Sequence, residues 1–123
     1  MKKPGRDPGF EALLDLHGQV FVVDSKGAYW VKFVVRRVEP SPERPHGLDY
    51  SLTLHDADGF RLVGFDNAHP FRKSSGPVGR RVRAGDHEHR LKTVLPYSFR
   101  DAATLLEDFW REVDSVLKQK GVL

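Results

Sequence analysis

The sequence predicts an α+β domain in which an antiparallel β-meander packs against one long C-terminal helix, with a short helix near the N-terminus. Two patterns lead to this prediction. Residues 48–56 alternate between apolar and polar side chains, as in a strand with one buried face, and residues 105–117 carry apolar side chains at helical spacing. The length of 123 residues fits one domain. We expect residues 1–9, rich in Pro and Gly, to be a flexible N-terminus and residues 10–123 to form the domain.

The front half of the chain is predicted to contain one short helix and two strands. Phe10 to Leu16 favours a helical turn, and Gln19 to Asp24 is predicted to be the first strand. A longer strand is predicted from Ala28 to Val38, which is rich in β-branched and aromatic residues. Residues 39–47 contain three prolines, which lack the N–H group that a strand ladder needs, so this segment is predicted to be a loop.

The strand over residues 48–56 is the clearest in the chain. Four apolar side chains share one face of it: Leu48, Tyr50, Leu52 and Leu54. An Ala-Asp-Gly turn at 57–59 favours a hairpin, so residues 60–65 are predicted to return as the next antiparallel strand. Strands joined in sequence by short turns form a meander, and one face of such a sheet can be exposed to water.

The C-terminal helix is predicted from its cap, its apolar stripe and its end. Asp101 is placed to accept a hydrogen bond from the first turn, and Gly121 is a suitable terminator. The stripe consists of Leu105, Leu106, Phe109, Trp110, Val113, Val116 and Leu117. We expect it to pack on the apolar face of the strand at 48–56, so that its Trp and Phe are core residues.

Composition excludes several classes of protein. The chain has no cysteine, which excludes disulfides and thiolate metal sites and fits a cytoplasmic protein. The basic start of the chain is not followed by an apolar stretch, so it is not expected to be a signal peptide. No apolar run approaches the roughly 20 residues of a membrane span. We therefore expect a cytoplasmic protein that neither associates with membranes nor carries a cofactor.

The positive charge of the chain is concentrated in one segment. The formal net charge is +3, and residues 71–92 contain seven Lys or Arg against two Asp or Glu. Such a segment on a near-neutral body favours a phosphate-bearing partner such as RNA, although a solvated surface loop would have the same composition. The predicted phosphate-binding residues are Arg72, Lys73, Arg80, Arg81 and Arg83.

Two short polar clusters flank residues 72–83, the basic loop that contains all five of these phosphate-binding residues, and they form the candidate site. The first, at 64–69, has the sequence Gly-Phe-Asp-Asn-Ala-His, and the second, at 86–90, has the sequence Asp-His-Glu-His-Arg. A carboxylate of the first cluster that hydrogen-bonds an imidazole would fix the tautomer of that ring and raise its basicity. The candidate catalytic residues are Asp66, His69, Asp86, His87, His89 and Arg90.

The second cluster has a simple geometric consequence if it is extended. His87 and His89 then share one face of the strand, whereas Asp86, Glu88 and Arg90 share the other. The remaining histidines are less informative. His17 and His46 lie near strand or loop ends and are expected to be exposed, and His55 could share a wet sheet face with Lys32 and Arg36.

Three interpretations of the clusters stay open. In the first, His87 or His89 is a general acid or base while Arg90 and the basic segment hold a phosphodiester, so that RNA is cleaved without a metal ion. In the second, His69, His87 and His89, with or without Asp66, bind a divalent transition metal of a hydrolase. In the third, the histidines and acids only hold a long loop to the sheet edge.

The order of five segments resembles the TumE-like family of small prokaryotic proteins, which are toxin components of toxin–antitoxin pairs. These segments are SLTLHD at 51–56, GFDNAH at 64–69, DHEHR at 86–90, PYSF at 96–99 and LLEDF at 105–109. The likeness covers roughly residues 28–118. Most of its specificity lies in the Asp-Asn-x-His and Asp-His-x-His-Arg pieces in that order.

The resemblance implies a toxin whose partner is a helix-turn-helix antitoxin. It also implies a site at Asp66, Asn67, His69, Asp86, His87, His89 and Arg90. RNA cleavage is a hypothesis from the residues, because the resemblance brings no chemistry with it. We expect an antitoxin and RNA as partners and regard a homodimer as one allowed assembly. The main alternative is a non-catalytic regulator that binds a protein or nucleic acid through its wet sheet face.

Overall fold

The computed structural model describes residues 9–42, 44–67, 86–91 and 93–122. Two helices and six strands occur in these residues, and the six strands form one antiparallel sheet in chain order. Their bounds are α1 Phe10–Leu14, β1 Val20–Val22, β2 Trp30–Arg37, β3 Leu48–His55, β4 Arg61–Asp66, β5 His87–Arg90, β6 Thr93–Pro96 and α2 Ala102–Gln119. The α+β meander with a long C-terminal helix and a short N-terminal helix is therefore confirmed.

The differences from the predicted elements lie at their ends and at the last strand. The three predicted strands in the front half of the sheet exist with shorter bounds, and β5 is the extended segment that the sequence allowed. Strand β6 was not predicted, because its four residues are all exposed and give no alternation of apolar and polar side chains. It forms one edge of the sheet and ends at Pro96, which suits an edge because proline cannot donate to a ladder.

The core lies between one face of the sheet and α2. The helix buries Leu105, Phe109, Val113, Val116 and Leu117 of the predicted stripe, and Leu106 and Trp110 are half-buried at its margin. The Phe109 ring packs edge-on against Phe33 of β2 and Phe65 of β4, with centroid distances of 5.6 and 6.1 Å. The apolar side chains of β3 belong to the same buried cluster, so the expected packing of helix on sheet is confirmed.

Both ends of α2 are formed as the sequence predicts. The N–H group of Thr104 donates to the Asp101 carboxylate at 2.7 Å, which caps the helix. Gly121 follows the helix with a φ of +77°, a left-handed conformation that glycine adopts without steric cost. No helix among the described residues is long and apolar enough to cross a membrane.

The face of the sheet turned away from α2, here called the open face, carries polar side chains. Strand pairing places Lys32 opposite Thr53 and Arg36 opposite Asp49. At one end His55 stacks on Trp30 with a centroid distance of 4.2 Å. The register therefore confirms that His55, Lys32 and Arg36 share this face.

Candidate active site

Strands β4 and β5 bring the two polar clusters of the sequence side by side. Asp66 pairs with His87, and Gly64 pairs with His89. Because side chains alternate across a strand, consecutive residues of each cluster point to opposite faces of the sheet. The candidate residues are therefore divided into two groups with different surroundings.

The first group, called the open-face cluster, consists of Asp66, His87 and His89 together with Arg61 at the start of β4. His89 lies between two partners: its Nε2 is 3.2 Å from the Asp66 carboxylate, and its Nδ1 is 3.2 Å from the Arg61 guanidinium. A guanidinium can only donate hydrogen bonds, so Nδ1 must be the acceptor. The proton of neutral His89 consequently resides on Nε2 and is donated to Asp66.

His87 lies beside His89 on the same face, as expected for an extended segment. The two ring centroids are 6.4 Å apart, and the planes are inclined by 37°. His87 is buried, with 9% of its surface exposed, and His89 is half-buried. The two rings are close enough to reach a single phosphodiester group from neighbouring positions.

The second group, called the inner cluster, surrounds Asp86 on the core side of the sheet. The Tyr50 hydroxyl donates to the Asp86 carboxylate at 2.6 Å, and Nε2 of His46 is 3.2 Å from the same oxygen. His46 Nδ1 accepts from the backbone N–H of Leu48 at 3.3 Å. His46 thus carries its proton on Nε2, so both of its nitrogens are engaged within the protein.

Burial and then the neighbouring Asp86 carboxylate raise the pKa of Tyr50 above its ordinary value. The hydroxyl therefore remains protonated and acts as a hydrogen-bond donor to Asp86. The His46 ring also packs on Phe99 at a centroid distance of 4.1 Å. The Asp86 carboxylate contacts Tyr50 and His46. Among the described residues, it makes no contact with His87 or His89.

Asn67 completes the inner cluster and has a structural role. Its side-chain oxygen accepts from the Tyr50 N–H, and its side-chain nitrogen donates to the Leu48 carbonyl, both at 2.9 Å. These bonds extend the pairing of β4 with β3 by one residue. Asn67 and Asp86, the two described residues that flank 68–85 in the chain, therefore both belong to the inner cluster.

Arg90 lies on the core face of β5 and contacts the helix. Its guanidinium donates to Glu112 at 3.0 Å, to Ser115 at 2.9 Å and to Gln119 at 3.1 Å. Glu88 shares this face, and burial followed by the Glu112 and Asp108 carboxylates raises its pKa. The structure therefore places Arg90 on the opposite side of the sheet from the open-face cluster.

The other sequence-predicted site residues lie outside the described part of the chain. They are His69, Arg72, Lys73, Arg80, Arg81 and Arg83. Within the described ranges, no three His, Cys, Asp or Glu side chains converge as metal ligands. The metal interpretation would require His69, so it stays a prediction.

Sequence reasoning missed two residues of these clusters. His46 was expected to be exposed, and this is wrong, because the proline-containing loop before β3 turns it towards Asp86 and leaves its side chain 12% exposed. His17 is exposed as expected. Apart from Gly64, three residues later, nothing in the sequence around Arg61 indicated a functional role. Its place in the cluster depends on a contact with His89, which lies 28 positions further along the chain.

Comparison with known proteins adds one finding. The family model described as Toxin TumE matches residues 16–117, which include all six strands and most of α2. No curated protein matches the chain, and no solved structure matches it. The matched range contains both clusters.

Proposed function

Since this chain belongs to the TumE family and is therefore the toxin of a toxin–antitoxin system, we propose that it acts by cleaving RNA at the open-face cluster. The step needs no metal ion, because two imidazoles supply the proton transfers and the cations of the basic loop supply the positive charge. The single observation that carries the proposal is the position of His89 between Asp66 and Arg61.

In this proposal each side chain of the cluster has a distinct role. Asp66 fixes the proton of His89 on Nε2, so Nδ1 is the basic nitrogen. Nδ1 takes the proton of a ribose 2′-hydroxyl while that oxygen forms a bond to phosphorus and the bond from phosphorus to the 5′-oxygen breaks. His87 donates a proton to the leaving 5′-oxygen. The products are a 2′,3′-cyclic phosphate and a free 5′-hydroxyl.

Asp66 is a positioning residue in this scheme. A carboxylate beside an imidazole holds one tautomer and stabilises the imidazolium that forms when the ring accepts a proton. Asp86 does not take this part for His87 in our proposal, because its carboxylate is engaged by Tyr50 and His46. Arg72, Lys73, Arg80, Arg81 and Arg83 supply affinity for the RNA backbone.

The family implies an antitoxin partner. We propose that this partner is the helix-turn-helix protein that the resemblance indicates and that both proteins act in the cytoplasm. Antitoxin binding would then control access of RNA to the open face.

Variants of two histidines test the proposed chemistry. His89→Gln keeps an N–H donor near Asp66 but removes the basic nitrogen. His17→Asn is the matched control, because it lies outside the site and keeps an acceptor for the N–H of Val35, which His17 Nδ1 binds at 3.0 Å. We expect wild type and His17→Asn to arrest growth of a bacterial host at equal soluble levels and to cleave RNA. His89→Gln should do neither, with a cleavage rate about 10² to 10⁴ lower.

A non-catalytic regulator is the second candidate function, and the open face favours it. Lys32, Arg36 and the stacked pair Trp30–His55 give this face cations and an aromatic surface without any need for proton transfer. Growth arrest by His89→Gln equal to that of wild type, with no cleaved RNA in either culture, would select this function over RNA cleavage.

A further inference from the structure

We propose that Arg61 is a catalytic residue of the open-face cluster, whose guanidinium binds the scissile phosphate and stabilises the charge that develops on its non-bridging oxygens. The proposal rests on the RNA cleavage proposed above. It adds a phosphate-binding group within the cluster itself, distinct from the basic loop at 72–83 and from Arg90.

A β-bulge turns Arg61 towards the cluster. Pairing of β3 with β4 joins Leu54 to Val63 and His55 to Arg61, so Leu62 is an extra residue on β4. In a regular strand, Arg61 would share the core face with Val63 and Phe65. The extra residue reverses this, and the Arg61 side chain reaches His89 on the open face. Bulges are frequent next to active sites, where they redirect a side chain.

Gly64 provides the space that Arg61 occupies. A Cβ atom at position 64 would lie 3.0 Å from Cδ and 3.5 Å from Nε of Arg61. The same atom would lie 3.6 Å from Cδ2 of His89, which is an ordinary contact. Only the arginine is therefore crowded, so the absence of a side chain at Gly64 allows the guanidinium to lie across β4 against His89.

The partner of Arg61 is a base, unlike the carboxylate partners of three other arginines. Arg37, Arg90 and Arg111 each form an ion pair with a carboxylate. Among the residues that the structure describes, no carboxylate lies within ion-pair distance of Arg61, and its hydrogen-bond partner is the neutral Nδ1 of His89. The Arg61 guanidinium contacts a neutral base and has no ion-pair partner among the described residues, so it is suited to bind an anionic ligand. Its planar shape matches the oxygens of a phosphate.

The position of Arg61 also fits the proton transfer. When a phosphodiester binds the guanidinium, the hydrogen bond from Arg61 to Nδ1 is exchanged for bonds to phosphate oxygens. Nδ1 is then free beside the bound phosphate and can accept the 2′-hydroxyl proton. Phosphate binding and exposure of the base are thus one event.

Four variants test the role of Arg61. Arg61→Gln removes the charge, Arg61→Lys keeps the charge without the planar fork, and Gly64→Ala displaces the intact arginine. Arg111→Gln is the control, because it removes an exposed arginine of α2 whose side chain is 69% exposed. We expect Arg61→Gln to lower the kcat of RNA cleavage about 10²- to 10³-fold. Arg61→Lys and Gly64→Ala should have intermediate rates, and Arg111→Gln should equal wild type.

A spectroscopic measurement separates a catalytic role from a structural one. Wild type and Arg61→Gln are titrated with an uncleavable 2′-deoxy dinucleotide, and the ¹⁵N shift of His89 Nδ1 is followed. The dinucleotide should shift this resonance in wild type and in Arg111→Gln but not in Arg61→Gln. Thermal unfolding of all variants shows whether a lower rate comes from misfolding. If Arg61→Gln does not fold, the cleavage rates of Arg61→Lys and Gly64→Ala test the role of Arg61 instead.

The outcomes distinguish this proposal from RNA cleavage. Equal cleavage by wild type and Arg61→Gln overturns the role of Arg61 and leaves RNA cleavage intact. If wild type does not cleave RNA, the proposal of RNA cleavage is overturned, and the dinucleotide titration then tests the role of Arg61. A shift of His89 that requires Arg61 then supports Arg61 as the phosphate ligand, whereas the absence of a shift in wild type overturns it.

Discussion

Asp66 and Asn67 are neighbours in the chain, but their side chains belong to different clusters. Asp66 holds His89 on the open face, whereas Asn67 is buried and bonds the backbone of β3. The family resemblance placed both in one candidate site, whereas the residues alone left Asn67 as either a turn former or a ligand. At the scale of single residues, the polar motif therefore combines an open-face group suited to proton transfer with an inner group that stabilises the fold.

Replacement of Tyr50 by Phe tests the structural role of the inner cluster. The change keeps the ring in the core but removes the donor to Asp86, so we expect the free energy of unfolding to fall by about 2 kcal/mol, as for a hydrogen bond to a charged group. Urea denaturation measures this loss. Tyr29→Phe is the control, because the Tyr29 hydroxyl makes no hydrogen bond among the described residues. Equal stability of the two variants would show that the bond to Asp86 contributes little.

Contacts between elements explain the position of Arg90. It joins β5 to three side chains of α2, and so fixes the strand that carries His87 and His89 against the helix. The prediction that Arg90 holds substrate was made from its place in the motif, and no contact of Arg90 with the open-face cluster occurs among the described residues. A test must therefore separate stability from activity.

Arg90→Met is expected to lower the free energy of unfolding by about 1 kcal/mol, because it removes a partly exposed ion pair and two neutral hydrogen bonds. Arg111→Met, which removes an exposed i,i+3 pair, should change it by less than about 0.5 kcal/mol. Chemical denaturation and RNA cleavage are measured on both. If Arg90→Met loses RNA cleavage without losing stability, Arg90 instead binds the substrate.

The N-terminus of α2 predicts a pH dependence. The backbone hydrogen bond from Thr104 is the main cause that lowers the pKa of Asp101 below its usual value. The carboxylate therefore stabilises the folded state above its unfolded-state pKa, and this contribution is lost as the pH falls through the lower folded-state pKa. Asp101→Asn keeps an acceptor but cannot titrate.

We expect the difference in stability between wild type and Asp101→Asn to be constant above about pH 5 and to shrink as the pH falls below about 4. Urea unfolding across this range measures it. A difference that does not change with pH would mean that the charge of Asp101 does not contribute to the cap.

The distribution of charge over the whole molecule governs its expected affinity for RNA. Seven Lys or Arg fall within residues 71–92, although the net charge of the chain is only +3. Each phosphate contact releases counterions and so makes the affinity for RNA more dependent on salt. The salt dependence therefore reports all the contacts between the protein and RNA together.

Replacement of Arg80, Arg81 and Arg83 by Gln should reduce the slope of log affinity against log salt by roughly 2 for single-stranded RNA, since each contact contributes about 0.7. The control replaces three cations of the helix and its end: Arg111, Lys118 and Lys120. Its slope should match that of wild type. An affinity that is insensitive to salt in all three proteins would contradict a phosphate-binding role for the basic segment.

The sequence by itself determined the fold class, the two faces of the sheet and the ends of the long helix. These follow from alternation at 48–56, helical spacing at 105–117 and the residues Asp101 and Gly121, all of which act over a few positions. The placement of His87 and His89 on one face of their strand was predictable because side chains alternate along an extended segment.

Only the tertiary structure decided which polar side chains meet. His46 reaches Asp86 across 40 positions, and Arg61 reaches His89 across 28. Such contacts depend on strand register and on the bulge at Leu62, and a shift of one residue would move each side chain to the other face. Register is set by long-range pairing and packing, which leave no periodic trace in the local sequence, so the division of the motif into a candidate active site and a structural cluster required the folded chain.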